Sequence, residues 1–182
     1  MPTLRHVAVL QAFALAVTFS GIVSPGAVAA TGEYEVKAAF LVNFAKFVEW
    51  PASVFGSAAA PVLIGVVGDD PFGRGIDEAV RGKLLDGRSI TVQRLDWRED
   101  LTGFHIVFIS GSEQRRLKDI LRPLESTSVL TVSDMGDFCR NGGVISFVSV
   151  DQRVRFEVNG AAARRHGLKI SSKLLSLATT VY

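Results

Sequence analysis

The chain has 182 residues, of which 48% are apolar, and its 20 basic side chains stand against 18 acidic ones. This length suits one domain, and the apolar fraction excludes intrinsically disordered, collagen-like and low-complexity proteins. The net charge of +2 is spread along the chain, so nothing in the composition indicates a nucleic-acid-binding surface. The single cysteine, Cys139, excludes a disulfide-stapled fold and any cysteine-based zinc cluster within one chain.

The first thirty residues follow the pattern of a secretory signal peptide. Arg5 precedes an apolar stretch over residues 7–23, and the small residues Ala27 and Ala29 then form a cleavage site. We therefore predict a signal peptide over residues 1–29 and a single domain over residues 30–182. The alternative is an uncleaved membrane anchor, but the apolar stretch is short and interrupted, and a span needs about 20 residues.

The mature chain begins with a predicted amphipathic helix over residues 33–50, which Pro51 ends. Residues at helical spacing form one mostly apolar stripe on it, namely Val36, Ala39, Phe40, Asn43, Phe44 and Phe47. We expect this stripe to face the core, whereas Lys46 and Glu49 face water.

Three short, unbroken apolar runs predict strands that are covered on both faces, as in a parallel sheet. They occupy residues 62–68, 106–109 and 129–132. Helical patterns lie between them, over residues 72–81 after a cap at Asp70, and over residues 113–121 after a cap at Ser112. Residues 89–95 alternate between apolar and polar side chains, which is typical of an edge strand.

The C-terminal third predicts an antiparallel hairpin, with strands over residues 144–150 and 153–158. This register places Phe147 opposite Phe156 and gathers the apolar side chains on one face.

Two short helices should follow the hairpin. Asn159 caps the first, over residues 160–166, and Ser171 or Ser172 caps the last, whose apolar side includes Leu174, Leu175, Leu177, Ala178 and Val181. The fold class is therefore α/β, a layered sandwich with a mainly parallel central sheet flanked by helices and a C-terminal antiparallel hairpin.

No spacing of side chains indicates catalysis, metal binding or a cofactor. His105 and His166 lack the spacing of metal ligands, and no serine lies in a nucleophile motif. Asp69 and Asp70 directly follow the first strand. In parallel α/β sheets, binding sites lie at the carboxyl ends of the strands. These two aspartates are candidate ligand-binding residues.

A basic cluster near the C-terminus is the second candidate for binding a partner or ligand, and it comprises Arg164, Arg165, His166, Lys169 and Lys173. Such groups bind carboxylates, phosphates or acidic partners. The alternative is a solvated helix end whose cations suit the helix dipole. Cys139 is a candidate redox residue because Arg140 could favour its thiolate, and the alternative is an inert buried thiol.

Four stretches, in order and spacing, resemble the YfiR/HmsC-like periplasmic proteins. They are AAFLVNFAKFVEWP at residues 38–51, VGDDPFG at 67–73, GGVISF at 142–147, and VRFEVN at 154–159 with GLKISSKLLSLA at 167–178. The resemblance implies a periplasmic, dimeric α/β sandwich without catalytic activity. It also implies a repressor of an inner-membrane diguanylate cyclase or related sensor, which lowers cyclic di-GMP and biofilm formation.

The resemblance further implies two ways of relieving repression, which are capture by an outer-membrane lipoprotein and redox change at cysteines. The chain departs from the family's pattern because it has only Cys139, so an intramolecular disulfide switch is impossible. Two other functions stay open. One is a periplasmic binding protein or sensor for a small anion or nucleotide, and the other is an enzyme that uses Asp69, Asp70 or Asp134.

Overall fold

The computed structural model describes residues 25–57 and 59–182. Most of the predicted signal peptide, residues 1–24, lies outside the described residues, and its cleavage site falls in the first turns of the first helix. Export therefore stays a prediction. None of the helices found in the described ranges is both long enough and apolar enough to cross a membrane.

The described chain contains five α-helices and nine strands, joined by turns and three short 3-10 segments. The helices are α1 (Pro25–Phe44), α2 (Arg74–Val80), α3 (Leu117–Leu121), α4 (Gly160–Arg165) and α5 (Ser172–Leu177). The strands are β1 (Val48–Glu49), β2 (Val62–Val67), β3 (Leu84–Leu85), β4 (Arg88–Leu95), β5 (Ile106–Ile109), β6 (Leu130–Ser133), β7 (Ile145–Val150), β8 (Arg153–Val158) and β9 (Lys169–Ile170).

Seven of these strands form one sheet in the order β3-β4-β2-β5-β6-β7-β8. The five central strands run parallel, and β3 and β8 pair antiparallel at the two ends. A separate antiparallel pair joins β1 to β9. The predicted fold class, a layered α/β sandwich with a mainly parallel sheet, is confirmed.

The sheet separates two apolar cores because successive side chains of a strand point to opposite faces. Ile106 and Phe108 lie in the core on one face, together with α1, α2 and α4, whereas Val107 and Ile109 lie in the core on the α3 face. Both faces of the central strands are therefore covered, as their unbroken apolar runs predicted.

The predicted C-terminal hairpin is confirmed in register. Phe147 pairs with Phe156, and Val148 pairs with Arg155. Asp151 and Gln152 both have positive φ, 49° and 58°, which is the turn that suits the twist of a two-residue hairpin. Asn159 caps α4 as predicted, because its Oδ1 accepts a hydrogen bond of 2.8 Å from the Ala162 N–H.

The predicted helix over residues 33–50 is too long at its C-terminal end. It stops at Phe44, where Lys46 and Phe47 donate backbone hydrogen bonds three residues back in a tightened last turn. The next residues form β1, and Val48 pairs with Ile170 of β9. Pairing with a strand 122 positions away in sequence, from 48 to 170, competes with helix continuation and is invisible to local periodicity.

Three other helix predictions are wrong in their limits. α2 runs from Arg74 to Val80 instead of over residues 72–81, so Asp70 does not cap it, and the Asp70 carboxylate accepts from the Phe72 N–H in the turn before the helix. Residues 111–116 form a 3-10 segment that Ser110 caps, and only α3 is α-helical. α5, which Ser171 caps as predicted, ends at Leu177; Leu174 is buried, Leu175 and Ala178 are partly buried against the core, and Leu177 and Val181 are exposed.

The predicted edge strand is also corrected, because the two-residue β3 lies outside the first residues of β4. Asp86 and Gly87 join these strands with φ values of 48° and 79°. An Asp-Gly pair strongly favours a hairpin turn. The alternation of residues 89–95 alone did not predict the second strand of this hairpin.

Two buried histidines stabilise the amino ends of the parallel strands. His105 Nδ1 accepts a hydrogen bond of 3.1 Å from the Leu63 N–H, so the neutral ring carries its proton on Nε2. His166 Nδ1 lies 2.9 Å from the Val129 carbonyl oxygen, which requires a proton on Nδ1. Burial lowers the pKa of both rings.

Acid should therefore destabilise the fold before the carboxylates titrate. The histidines of the unfolded chain gain protons near pH 6.5, whereas the folded rings still resist protonation, so the free energy of unfolding falls as the pH drops below about 6.5. Urea unfolding at pH 7.5 and pH 5.5 measures this loss. In a His105→Gln/His166→Gln double variant, the free energy of unfolding should change less between pH 7.5 and pH 5.5 than it does in the wild type. An equal change in both proteins would contradict the role of the two histidines.

Candidate functional site

An open groove of about 830 Å³ runs between α1 and the edge strand β8. Val36 and Phe40 of α1 form one wall, and Val154 of β8 forms the other. Arg153 and Arg155 lie at its rim and are both exposed. Glu33 of α1 also lines the groove. The groove therefore combines apolar walls with a charged border, which is a pattern of surfaces that bind partners.

α1 contributes to this groove because part of its predicted core face stays exposed. Its covered residues are Ala38, Leu41, Val42, Phe44 and Ala45. Ala39 and Asn43 are exposed, Phe40 is half-buried, and Val36 retains 45% exposure. Within the predicted stripe, Phe44 is buried and Phe40 and Phe47 are partly buried against the core, as predicted, whereas Val36, Ala39 and Asn43 do not face the core. The exposed amide of Asn43 needs no buried partner.

A cluster of four phenylalanines fixes the floor of the groove. Phe44 lies 5.7 Å from Phe147 and 5.2 Å from Phe156 between ring centroids, and Phe40 lies 5.8 Å from Phe156. Stacked and edge-to-face pairs at these separations add stability beyond the burial of area. Phe40 is therefore held in place on one side while its other side remains open to the groove.

An ion-pair cluster near the N-terminal side of α1 fastens the helix to the end of β6. Lys37 Nζ donates 2.7 Å bonds to both Asp134 Oδ2 and Glu33 Oε1, and the Tyr34 hydroxyl donates to the same Asp134 oxygen. The Lys37 side chain is only 7% exposed. Burial alone lowers the pKa of Lys37, but its hydrogen bonds to Asp134 and Glu33 outweigh this effect and raise it.

Sequence reasoning missed Lys37, although a signal was present. Lys37, Leu41 and Ala45 recur every four residues on the covered face. A lysine in such a row must either snorkel to water or find a carboxylate. Only the fold brings Asp134 to it from 97 positions away.

Replacement of Lys37 by methionine should lower the free energy of unfolding by about 3 kcal/mol, because Asp134 is left with a buried charge and no cationic partner. Lys46→Met is the control, since Lys46 is exposed and surface changes usually stay within about 0.5 kcal/mol. Urea unfolding of both variants measures the difference. Equal stabilities would show that Lys37 does not fasten α1.

Asp69 and Asp70 lie at the carboxyl end of β2, as predicted, but they do not form one binding site. The Asp70 carboxylate accepts from the Phe72 N–H at 2.7 Å and from Arg94 Nε at 3.0 Å. Arg94 also holds Asp77 with two bonds, and these bonds lower the pKa of Asp77. Asp70 therefore fastens the loop before α2 to β4, whereas the exposed Asp69 contributes only its backbone N–H, which donates to Ser112.

The basic cluster is divided by the fold. Arg164, Arg165, Lys169 and Lys173 are exposed, whereas His166 is only 3% exposed and hydrogen-bonded to a backbone carbonyl. His166 is thus a structural residue, since its lowered pKa keeps it neutral. It contacts Val129 at the amino end of β6, whereas Asp69 and Asp70 follow the carboxyl end of β2. The two predicted groups consequently lie at opposite ends of the parallel sheet.

Cys139 is 1% exposed and lies beneath the base of the hairpin. Its Sγ is 3.6 Å from the carbonyl oxygens of both Val144 and Glu157. Burial raises the pKa of its thiol to about 12. These surroundings favour the inert thiol of the two alternatives that the sequence left open.

Cys139 should not react with iodoacetamide at pH 8 in the folded protein, because almost no thiolate forms and none is accessible. The same reagent should label it fully in 8 M urea. Intact-mass spectrometry at matched times measures both states. Rapid labelling of the folded protein would restore the redox prediction.

The chain belongs to the YfiR/HmsC-like family, whose model matches residues 34–179. A solved structure with a similar fold is that of a conserved domain protein from Vibrio cholerae O1 biovar eltor strain N16961. It has a TM-score of 0.53 and 9% identity, and the alignment covers 66% of this chain and 55% of that chain. The present chain thus spans about half the length of that protein, and the likeness concerns the fold alone.

Proposed function

We propose that the protein is an exported, non-enzymatic regulator that represses an inner-membrane diguanylate cyclase or related sensor by binding its periplasmic portion. Membership of the YfiR/HmsC-like family supports a regulatory role. Repression would lower cyclic di-GMP and biofilm formation. An outer-membrane lipoprotein that captures the regulator would relieve repression, and the homodimer remains a prediction.

The observation that carries this proposal is the groove between α1 and β8. Binding to a protein partner needs an accessible apolar surface with a polar rim, and Val36, Phe40 and Val154 provide the apolar part. The surface is preformed, because the phenylalanine cluster and the Lys37–Asp134 pair hold α1 against the sheet. A rigid surface loses little conformational entropy on binding.

Two of the three carboxylates that the enzyme alternative would use have structural partners, whereas Asp69 is exposed. Asp70 is bound to Arg94, and Asp134 is bound to Lys37 and Tyr34. A general base must be free to accept a proton from its substrate. These contacts favour the regulator over the hydrolytic alternative.

Deletion of the gene should raise cellular cyclic di-GMP severalfold in a strain that keeps its membrane cyclases, and the wild-type gene should restore the low level. Val36→Arg should fail to restore it, because a charge replaces an apolar contact in the groove. Leu84→Arg is the matched control, since Leu84 is an exposed apolar side chain, 62% accessible, at the opposite end of the sheet.

Mass-spectrometric quantification of cyclic di-GMP, with immunoblots for equal protein levels, reads out all four strains. An unchanged level in the deletion strain would contradict the regulatory role. If both variants restore the low level of cyclic di-GMP, the partner binds to a surface other than the groove.

A further inference from the structure

The outer edge of β8 is only partly covered by the chain's own C-terminus. Residues 179–182 run beside its second half, where the Thr179 N–H donates to Phe156 O and the Tyr182 N–H donates to Val158 O, both at 2.9 Å. Val158 forms a parallel bridge with Val181. Because this segment runs parallel to β8 and begins beside Phe156, it leaves the first half of β8 without a backbone partner on its outer side among the described residues.

The backbone of Val154 faces the uncovered part of this edge. In an antiparallel pair, alternate residues direct their N–H and C=O groups toward the partner strand and away from it. Phe156 and Val158 direct theirs outward to the C-terminal segment, so Val154, two residues before Phe156, does the same. No hydrogen bond from the described residues reaches the outer side of Val154.

The side chains beside this edge present two different surfaces. Val154 points to the face that carries α1, beside Val36 and Phe40 in the groove. Arg153 and Arg155 point to the opposite face, because side chains alternate along a strand. No carboxylate of the described residues lies within 4.0 Å of either guanidinium as an ion-pair partner.

A second copy of this chain does not suit the edge. Antiparallel pairing of two β8 strands about Val154 would set Arg153 of each copy opposite Arg155 of the other. Like charges directly opposite each other on a sheet are destabilising. The charge of the edge instead favours a segment with acidic side chains.

We propose that the open edge at Val154 receives an extended segment of the partner protein, in which apolar residues alternate with acidic ones. The segment adds a strand to β8, places its apolar side chains against Val36 and Phe40, and pairs its carboxylates with Arg153 and Arg155. Backbone bonds provide the affinity, and the alternation of side chains provides the specificity. This inference deepens the proposed function and rests on it for the identity of the partner as a protein.

Val154→Pro is the decisive variant, because the outward N–H is the only hydrogen-bond donor that it removes, and proline is tolerated in edge strands where the N–H faces solvent. Val154→Ala is its control, since it loses the same side-chain contacts but keeps the N–H. Fluorescence anisotropy measures the binding of two labelled decapeptides, one alternating valine and glutamate and one alternating valine and lysine.

The wild-type protein and Val154→Ala should bind the glutamate peptide, and Val154→Pro should bind it about tenfold more weakly than Val154→Ala, which corresponds to one lost hydrogen bond of ~1.4 kcal/mol. The lysine peptide should not bind to the wild-type protein or to either variant. Equal binding of both peptides, or equal affinity of the two variants, overturns the proposal.

Two further measurements keep the test decisive. If Val154→Pro fails to fold by circular dichroism, an Arg153→Glu/Arg155→Glu variant replaces it and should reverse the preference to the lysine peptide. Sedimentation of the wild type and both Val154 variants should give the same oligomeric state, and a change confined to Val154→Pro would show that a second copy occupies the edge.

The cellular assay separates this inference from the function on which it rests. If deletion leaves cyclic di-GMP unchanged, the regulatory role fails whatever the peptides do. If deletion raises it but Val154→Pro represses as well as Val154→Ala, the regulator stands and strand addition at β8 is overturned.

Discussion

The attachment of α1 to one face of the sheet determines which surfaces the protein exposes. The helix buries Ala38, Leu41 and Val42 fully, and Lys37 adds an ion pair to Asp134 that is mostly shielded from water. A buried charge without its partner is costly, so this pair favours one rotation of the helix about its axis. That rotation turns Val36 and Phe40 away from the centre of the core and toward β8.

The function proposed for the protein depends on this geometry more than on any reactive group. Asp70 and Asp134, at the carboxyl ends of the strands, form ion pairs with Arg94 and Lys37, whereas Asp69 is exposed and the cysteine is buried. Among the accessible features is a groove with apolar walls, beside which Arg153 and Arg155 have no ion-pair partner in the described part of the chain. Such a surface is suited to recognition of another protein.

The two edges of the sheet are covered to different extents, and this difference affects how a partner could bind. At one end the short hairpin partner β3 covers only the first residues of β4. At the other end the C-terminal segment covers the second half of β8 and leaves the first half open. Open edges are usually protected against unwanted pairing by charged side chains. Arg153 and Arg155 can serve this purpose and also select an acidic partner, because both effects come from the same charges.

The sequence by itself determined the elements whose signals are local. Unbroken apolar runs indicated the central strands, and the alternation of residues 145–158 fixed the register of the hairpin. Asn159 indicated the start of α4 through a side-chain cap that needs only three neighbouring residues. Only the tertiary structure decided where α1 ends and which of its faces is buried, because β9 and Asp134 act on it from about 100 positions away. Asp70 and His166 likewise could be placed in sequence but not assigned a role. Their partners, Arg94 and Val129, come from other strands of the sheet, and a local pattern carries no information about such distant contacts.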